Sequence, residues 1–218
     1  MRKISSLIFI IALVFILVPN AGAVTWIDWQ STTAGSLTIG GTTINVSLSG
    51  NPWDFVNGDY YYNNSDTGGT SPSGTYGGLQ PSDLIQVTGT GNFTLTFDTP
   101  VVDPYIALVS VGAPWASVTY SFDTPFTVIS TGPNIWGYGS YSVSGSDFTG
   151  IEANGILQFQ GTYNSFSFDI LQPETWHGFN IGVADAASPV PEPSALLLMG
   201  FGLAGLAGLR KRFKAETS

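Results

Sequence analysis

The sequence predicts an all-β protein, an antiparallel β-sandwich of jelly-roll-like order, and three observations carry the prediction. Apolar residues alternate at period two in one segment after another. Gly, Pro and Asn interrupt them at short intervals, and no amphipathic helix of useful length lies between two apolar termini. The termini are expected to flank the sandwich as a signal helix and a transmembrane helix.

At the start of the chain Arg2 and Lys3 precede an apolar run over residues 4–18, then Pro19 and the small-residue sequence Ala21-Gly22-Ala23. This is the layout of a secretory signal peptide over residues 1–23, with cleavage by signal peptidase expected after Ala23. Residues 24–185 are long enough for one domain with a full core. Leu37 and Ile39, a Gly40-Gly41 turn, and Ile44, Val46 and Leu48 read as a hairpin. Phe93, Leu95 and Phe97 mark another strand, as do Val118, Tyr120 and Phe122. Tyr105–Val111 is almost continuously apolar, as suits a strand buried on both faces. Leu157 with Phe159, Phe166 with Phe168 and Ile170, and Phe179 with Ile181 and Val183 supply three more. Phe97-Asp98-Thr99-Pro100 and Phe122-Asp123-Thr124-Pro125 repeat one sequence, expected to end a strand because proline cannot donate to the ladder.

Residues 186–193 read as a linker ending in Pro191-Glu192-Pro193. Residues 194–218 begin with an uncharged stretch, 194–209, and close on Arg210, Lys211 and Arg212, a basic stop behind a membrane anchor. As a helix the stretch would span about 24 Å, short of a hydrocarbon core of about 30 Å. Gly200, Ala204 and Gly208 fall on one helix face, so the G-x-G-x-x-G match at Gly200, Gly202 and Gly205 reads as a packing surface rather than a nucleotide site. The paired prolines, the Leu/Gly/Ala-rich run and the basic cluster together resemble the PEP-CTERM sorting tail of bacterial surface proteins. The resemblance implies an exosortase as partner, an inner-membrane-anchored precursor, and final release to the cell surface or extracellular space of a bacterium that makes an exopolysaccharide. Glu152, Gly155 to Gly161 and Trp176 to Val183 are similar to the all-β domains that precede such tails, most of which lack an assigned activity.

Charge narrows the possible functions. The six basic residues are Arg2, Lys3, Arg210, Lys211, Arg212 and Lys214, all terminal, while only Glu192 and Glu216 of the 15 acidic residues lie in the tail. The domain between therefore holds 13 acids and no Lys or Arg. Nucleic acid is excluded as a partner, because nothing would neutralise its phosphates, and phosphate-handling enzymes are disfavoured on the same ground. The chain has no cysteine, so an exported fold must rely on packing and hydrogen bonds.

Residues 51–83 form the most unusual segment. Trp53, Tyr60, Tyr61 and Tyr62 offer faces for sugar rings, and neighbouring Asp and Asn can bond hydroxyls. The competing expectation is that Trp53 and alternate tyrosines cap one end of the sandwich. Asp59, Asn63, Asn64 and Asp66 are hard oxygen ligands suited to calcium, though they do not match an EF-hand loop, and no other cofactor is expected. His177 is the only histidine, expected as a partly buried edge residue. With no thiol or lysine nucleophile, the domain reads as non-enzymatic; the first carboxylate pair for glycosidase chemistry would be Glu152 and Glu174. The expected function is a structural or adhesive part of the extracellular matrix, with a lectin-like module as the alternative and a glycoside hydrolase third.

Overall fold

A computed structural model describes residues 23–184. The signal peptide before Ala23, the linker with its Pro-Glu-Pro motif and the sorting tail lie outside the described residues. Fifteen strands follow in chain order: β1 Val24–Trp26, β2 Asp28–Trp29, β3 Ala34–Ile39, β4 Thr42–Ser49, β5 Asp54–Val56, β6 Leu84–Val87, β7 Gly91–Val102, β8 Tyr105–Val111, β9 Val118–Phe122, β10 Thr127–Thr131, β11 Ser140–Ser144, β12 Asp147–Ile151, β13 Ala153–Gln158, β14 Thr162–Ile170 and β15 His177–Ala184. Two single 3-10 turns, Tyr60–Tyr62 and Gly77–Leu79, interrupt the segment between β5 and β6.

Every strand pairing is antiparallel. One sheet runs β10-β13-β8-β15-β6-β5, with β1 also paired to β15; the other runs β11-β12-β9-β14-β7-β4-β3-β2. From β6 to β10 the chain changes sheet with each successive strand. The predicted strands all form. In the hairpin Leu37 faces Ile44 and Ile39 faces Thr42, leaving a two-residue turn in which Gly40 and Gly41 have φ of 56° and 82°. Positive φ at both positions is what a type I′ turn requires, and glycine meets it without steric cost.

The core lies between the sheets. Phe93, Leu95 and Phe97 of β7, Tyr120 and Phe122 of β9, and Phe166 and Phe168 of β14 meet Ile106 and Leu108 of β8 and Phe179, Ile181 and Val183 of β15. Phe168 sits at the centre, 5.2 Å from the Phe179 ring, 5.4 Å from Tyr120 and 5.5 Å from Phe93. Strand β8 is buried on both faces, as its composition predicts: Ile106 and Leu108 enter this core, while Ala107 and Val109 enter a second cluster with Trp26, Tyr62, Tyr76, Leu84 and Ile156.

One turn expectation is corrected. Pro125 follows the end of β9, but Pro100 lies inside β7. Between the pairs Thr96–Ser165 and Val101–Tyr163 the ladder jumps, so four residues of β7 stand opposite Asn164 alone. The proline leaves the ladder at an irregularity instead of a strand end, satisfying the same constraint in another way.

Candidate functional site

Beyond β5 the aromatic segment lies across the outer face of the β6–β15–β8–β13 sheet, where Tyr62 and Tyr76 cluster with Leu84, Ala107, Val109 and Ile156. Its two fully buried tyrosines pin it there. Tyr62 Oη donates to the Asp83 carbonyl at 2.8 Å and Tyr76 Oη to the Leu108 carbonyl at 2.6 Å, with the rings edge-on at 4.9 Å. Burial raises both phenol pKa values well above the ordinary range, so each stays a donor. Asp83 closes the segment from a left-handed backbone conformation (φ 51°), its carboxylate accepting from the Trp29 and Gly58 amides at 2.9 and 2.8 Å.

A second loop, residues 132–139, is laced to the first. Ser73 and Thr75 hydroxyls donate to the Pro133 carbonyl, the Ile135 amide donates to the Asn63 carbonyl, and Asn134 Nδ2 donates to the Tyr61 carbonyl at 3.1 Å. From beneath, buried Asn154 donates to the Gly132 and Gly137 carbonyls while its Oδ1 accepts from the Ser110 amide. Asn134 Oδ1 accepts from the Trp136 amide at 2.7 Å and so fixes that residue's backbone.

These two loops and the turn before β15 assemble four aromatic rings. Tyr61, Trp136 and Trp176 form a triangle, with Tyr61 stacked on Trp136 at 5.3 Å, 5.1 Å from Trp176, and the two tryptophans 5.3 Å apart; Tyr60 meets Tyr61 and Trp136 edge-on at 5.5 and 6.0 Å. Trp176 Nε1 donates to Gln86 Oε1, which fixes the base of the cluster. Tyr60 is 54% exposed and Trp136 36%, so the cluster presents ring surface to solvent. Of the predicted sugar-binding row, Tyr60 and Tyr61 thus belong together. Trp53 is exposed with no ring partner among the described residues, and Tyr62 is corrected: buried, it has no face to offer a ligand. Trp136 and Tyr138 lie outside the segment the sequence predicts, although Pro133-Asn134-Ile-Trp136-Gly137-Tyr138-Gly139 has the same aromatic and small-residue mixture as residues 51–83.

Each of the expected calcium ligands takes part in the hydrogen bonding of the loop layer. The Asp59 carbonyl closes the first 3-10 turn, accepting from the Tyr62 amide at 2.9 Å. Asn63 is buried within the layer and donates to the Gly69 carbonyl, and Asn64 Oδ1 is occupied by the Thr67 amide and hydroxyl. Asp66 accepts from Tyr138. Among the described residues no group of three or more His, Asp or Glu side chains converges.

Glu152 and Glu174 both contact Gly112, Glu152 through its backbone amide and Glu174 through its carboxylate. The Gly112 amide donates to Glu174 Oε2 at 2.7 Å, and the Gly112 carbonyl accepts from the Glu152 amide at 3.0 Å. Ser110 Oγ donates to Glu152 Oε2 at 3.0 Å, and both residues hold left-handed backbones with φ of 53°. Partial burial raises the Glu174 pKa to about 7; the Gly112 amide opposes the shift and the Glu152 charge adds to it. His177 is corrected. It is wholly buried in the core, not at an edge, with Nδ1 3.0 Å from Tyr120 Oη and Nε2 unpartnered, and burial lowers its pKa to about 4. A neutral imidazole between two sheets is core packing.

Residues 189–212 match the PEP-CTERM protein-sorting motif. The matched span contains Pro191, Glu192, Pro193 and the basic cluster Arg210, Lys211 and Arg212. No curated protein and no solved structure matches the chain. The motif implies an exported protein that is sorted by an exosortase, and the domain that is sorted is the sandwich described above.

Proposed function

We propose that the exported sandwich is a non-enzymatic, adhesive component of the extracellular matrix that holds neutral exopolysaccharide on the face formed by Tyr60, Tyr61, Trp136 and Trp176. The ring cluster carries this reading. Aromatic faces fixed by mutual packing and by the Gln86 and Asn134 hydrogen bonds offer stacking area with little ordering cost on binding. The lack of any Lys or Arg in the domain favours uncharged polymer. Signal peptidase cleavage after Ala23 and exosortase removal of the membrane-anchored tail would deliver the domain. Mass spectrometry of the secreted protein is expected to find Val24 at one end and no Ser218 at the other; an intact tail on the secreted form would contradict this route. Retention on insoluble neutral polysaccharide tests the adhesion. It is expected to persist at high salt and to fall at least tenfold with Tyr60→Ala and Trp136→Ala. No cofactor is required in this reading, so a tenfold excess of calcium over chelator should leave Tm unchanged.

A glycoside hydrolase is the second reading, favoured by one observation: a carboxyl group with its pKa near 7 beside a second carboxylate has the acid and base character such chemistry uses. Sugar release from a neutral polysaccharide, abolished by Glu152→Gln or Glu174→Gln, would replace the adhesive reading with this one.

A further inference from the structure

Beside the ring cluster lies a polar cleft of about 250 Å³ whose lining includes Asn64, Ser65, Asp66, Thr75, Thr131 and Tyr138. The volume falls below the roughly 300 Å³ at which drug-sized sites begin, so it suits a single sugar unit better than a larger ligand. We infer that this cleft is a monosaccharide-sized binding site for a neutral pyranose, with Tyr138 as the stacking platform and Asp66 as the hydroxyl acceptor. The inference rests on the glycan-adhesion reading and locates its specific contact.

Tyr138 is 68% exposed, yet its ring is held in place. Its Oη donates to Asp66 Oδ1 at 3.2 Å and lies 2.6 Å from Ser65 Oγ. With the phenol proton committed to Asp66, the Ser65 hydroxyl is the donor in the second bond. An exposed aromatic tethered through its far end is unusual for a solvated loop and loses little rotamer freedom when a ligand stacks on it. The groups around it are unequally occupied. Ser73, Thr75 and Asn64 Oδ1 are committed to protein partners. Asp66 Oδ2, the Thr131 hydroxyl and one Asn64 amide hydrogen have no protein partner among the described residues. One ionised acceptor and two donors beside an anchored ring form a set that reads sugar hydroxyls, since a charge-assisted bond from a hydroxyl to a carboxylate is among the stronger neutral-ligand contacts. The single carboxylate, with no cation near it, disfavours acidic sugars and offers too few hard ligands for calcium.

Titration of the secreted domain with methyl glucoside, methyl galactoside and methyl mannoside, followed by NMR amide shifts, tests the site. Saturable shifts at Asp66, Thr131 and Tyr138 are expected with at least one of the three. Tyr138→Ala should abolish them, Asp66→Asn should weaken binding about fivefold or more, and Tyr138→Phe, which keeps the ring and loses the tether, should weaken it only a few-fold. The dispersed spectrum of each variant reports that it is folded. The inference is overturned if none of the three sugars binds, or if Tyr138→Ala binds like the parent. Should the domain still be retained on polysaccharide in either case, and lose retention with Trp136→Ala, the ring-cluster reading survives without the cleft. A domain that is not retained at all removes that reading as well.

Discussion

Two titratable residues, the partly buried Glu174 and the wholly buried His177, contribute opposing acid responses to the stability of the domain. Glu174 has a folded pKa near 7, above its unfolded value, so the folded state binds the extra proton and stability is lost as pH rises from about 4.5 through 7. His177 has a folded pKa near 4, below its unfolded value; here the unfolded state binds the extra proton, and stability is lost as pH falls from about 6.5 through 4. Over the shared window, folding takes up about one proton at Glu174 and releases about one at His177, so their slopes cancel. Glu174→Gln keeps an acceptor for the Gly112 amide and removes the titration. Relative to the parent, the variant should gain stability across pH 4.5–7, reaching about 1–2 kcal/mol at pH 8 once solvent screening of a half-exposed group is allowed for. Urea midpoints from pH 4 to 8 would show this as a steeper rise in the variant than in the parent. A constant difference across the range would show that Glu174 titrates normally.

At the level of elements, the strands were legible in the sequence and the site was only half so. Leu37 to Leu48 and Tyr105–Val111 announce a hairpin and a doubly buried strand, because period two and apolar runs are local signals. The loop layer is different. Whether Tyr60 or Tyr62 faces solvent depends on which hydroxyl finds a backbone carbonyl about twenty residues away, and no local pattern encodes that. Trp136 and Tyr138 join the site only because Asn134 and Asn154 hold their loop down, and His177 is buried because β15 is central, a matter of sheet order. The loop also depends on close backbone approach. A Cβ on Gly139 would stand 1.5 Å from the Ile151 carbonyl oxygen, so Gly139→Ala must push the loop off the β12–β13 corner. Its cost should exceed about 3 kcal/mol and be accompanied by loss of Trp136 stacking, seen as red-shifted tryptophan emission. Gly41→Ala, in open space at positive φ, should cost only about 1 kcal/mol and leave emission unchanged.

For the whole molecule, charge is both a destabiliser and a protection. A domain with 13 acids and no Lys or Arg repels itself, so screening should favour the compact state. The same repulsion guards exposed sheet edges, which other proteins commonly blunt with lysine. Strand β11 is such an edge. It is uncharged and exposed along its whole length, and pairing with Phe148 and Gly150 puts Val143 and Tyr141 on the inner side of the sheet, where they remain 45% and 43% exposed. Raising sodium chloride from about 10 mM to about 500 mM, across which the screening length falls from about 30 Å to a few Å, should therefore raise Tm and light scattering together. Val143→Asp adds charge at an already exposed position, so it should suppress the scattering while changing stability by no more than about 0.5 kcal/mol. Scattering that rises with salt equally in parent and variant would assign the association to a surface other than β11, and a Tm that falls with salt would show that self-repulsion does not limit the stability of this fold.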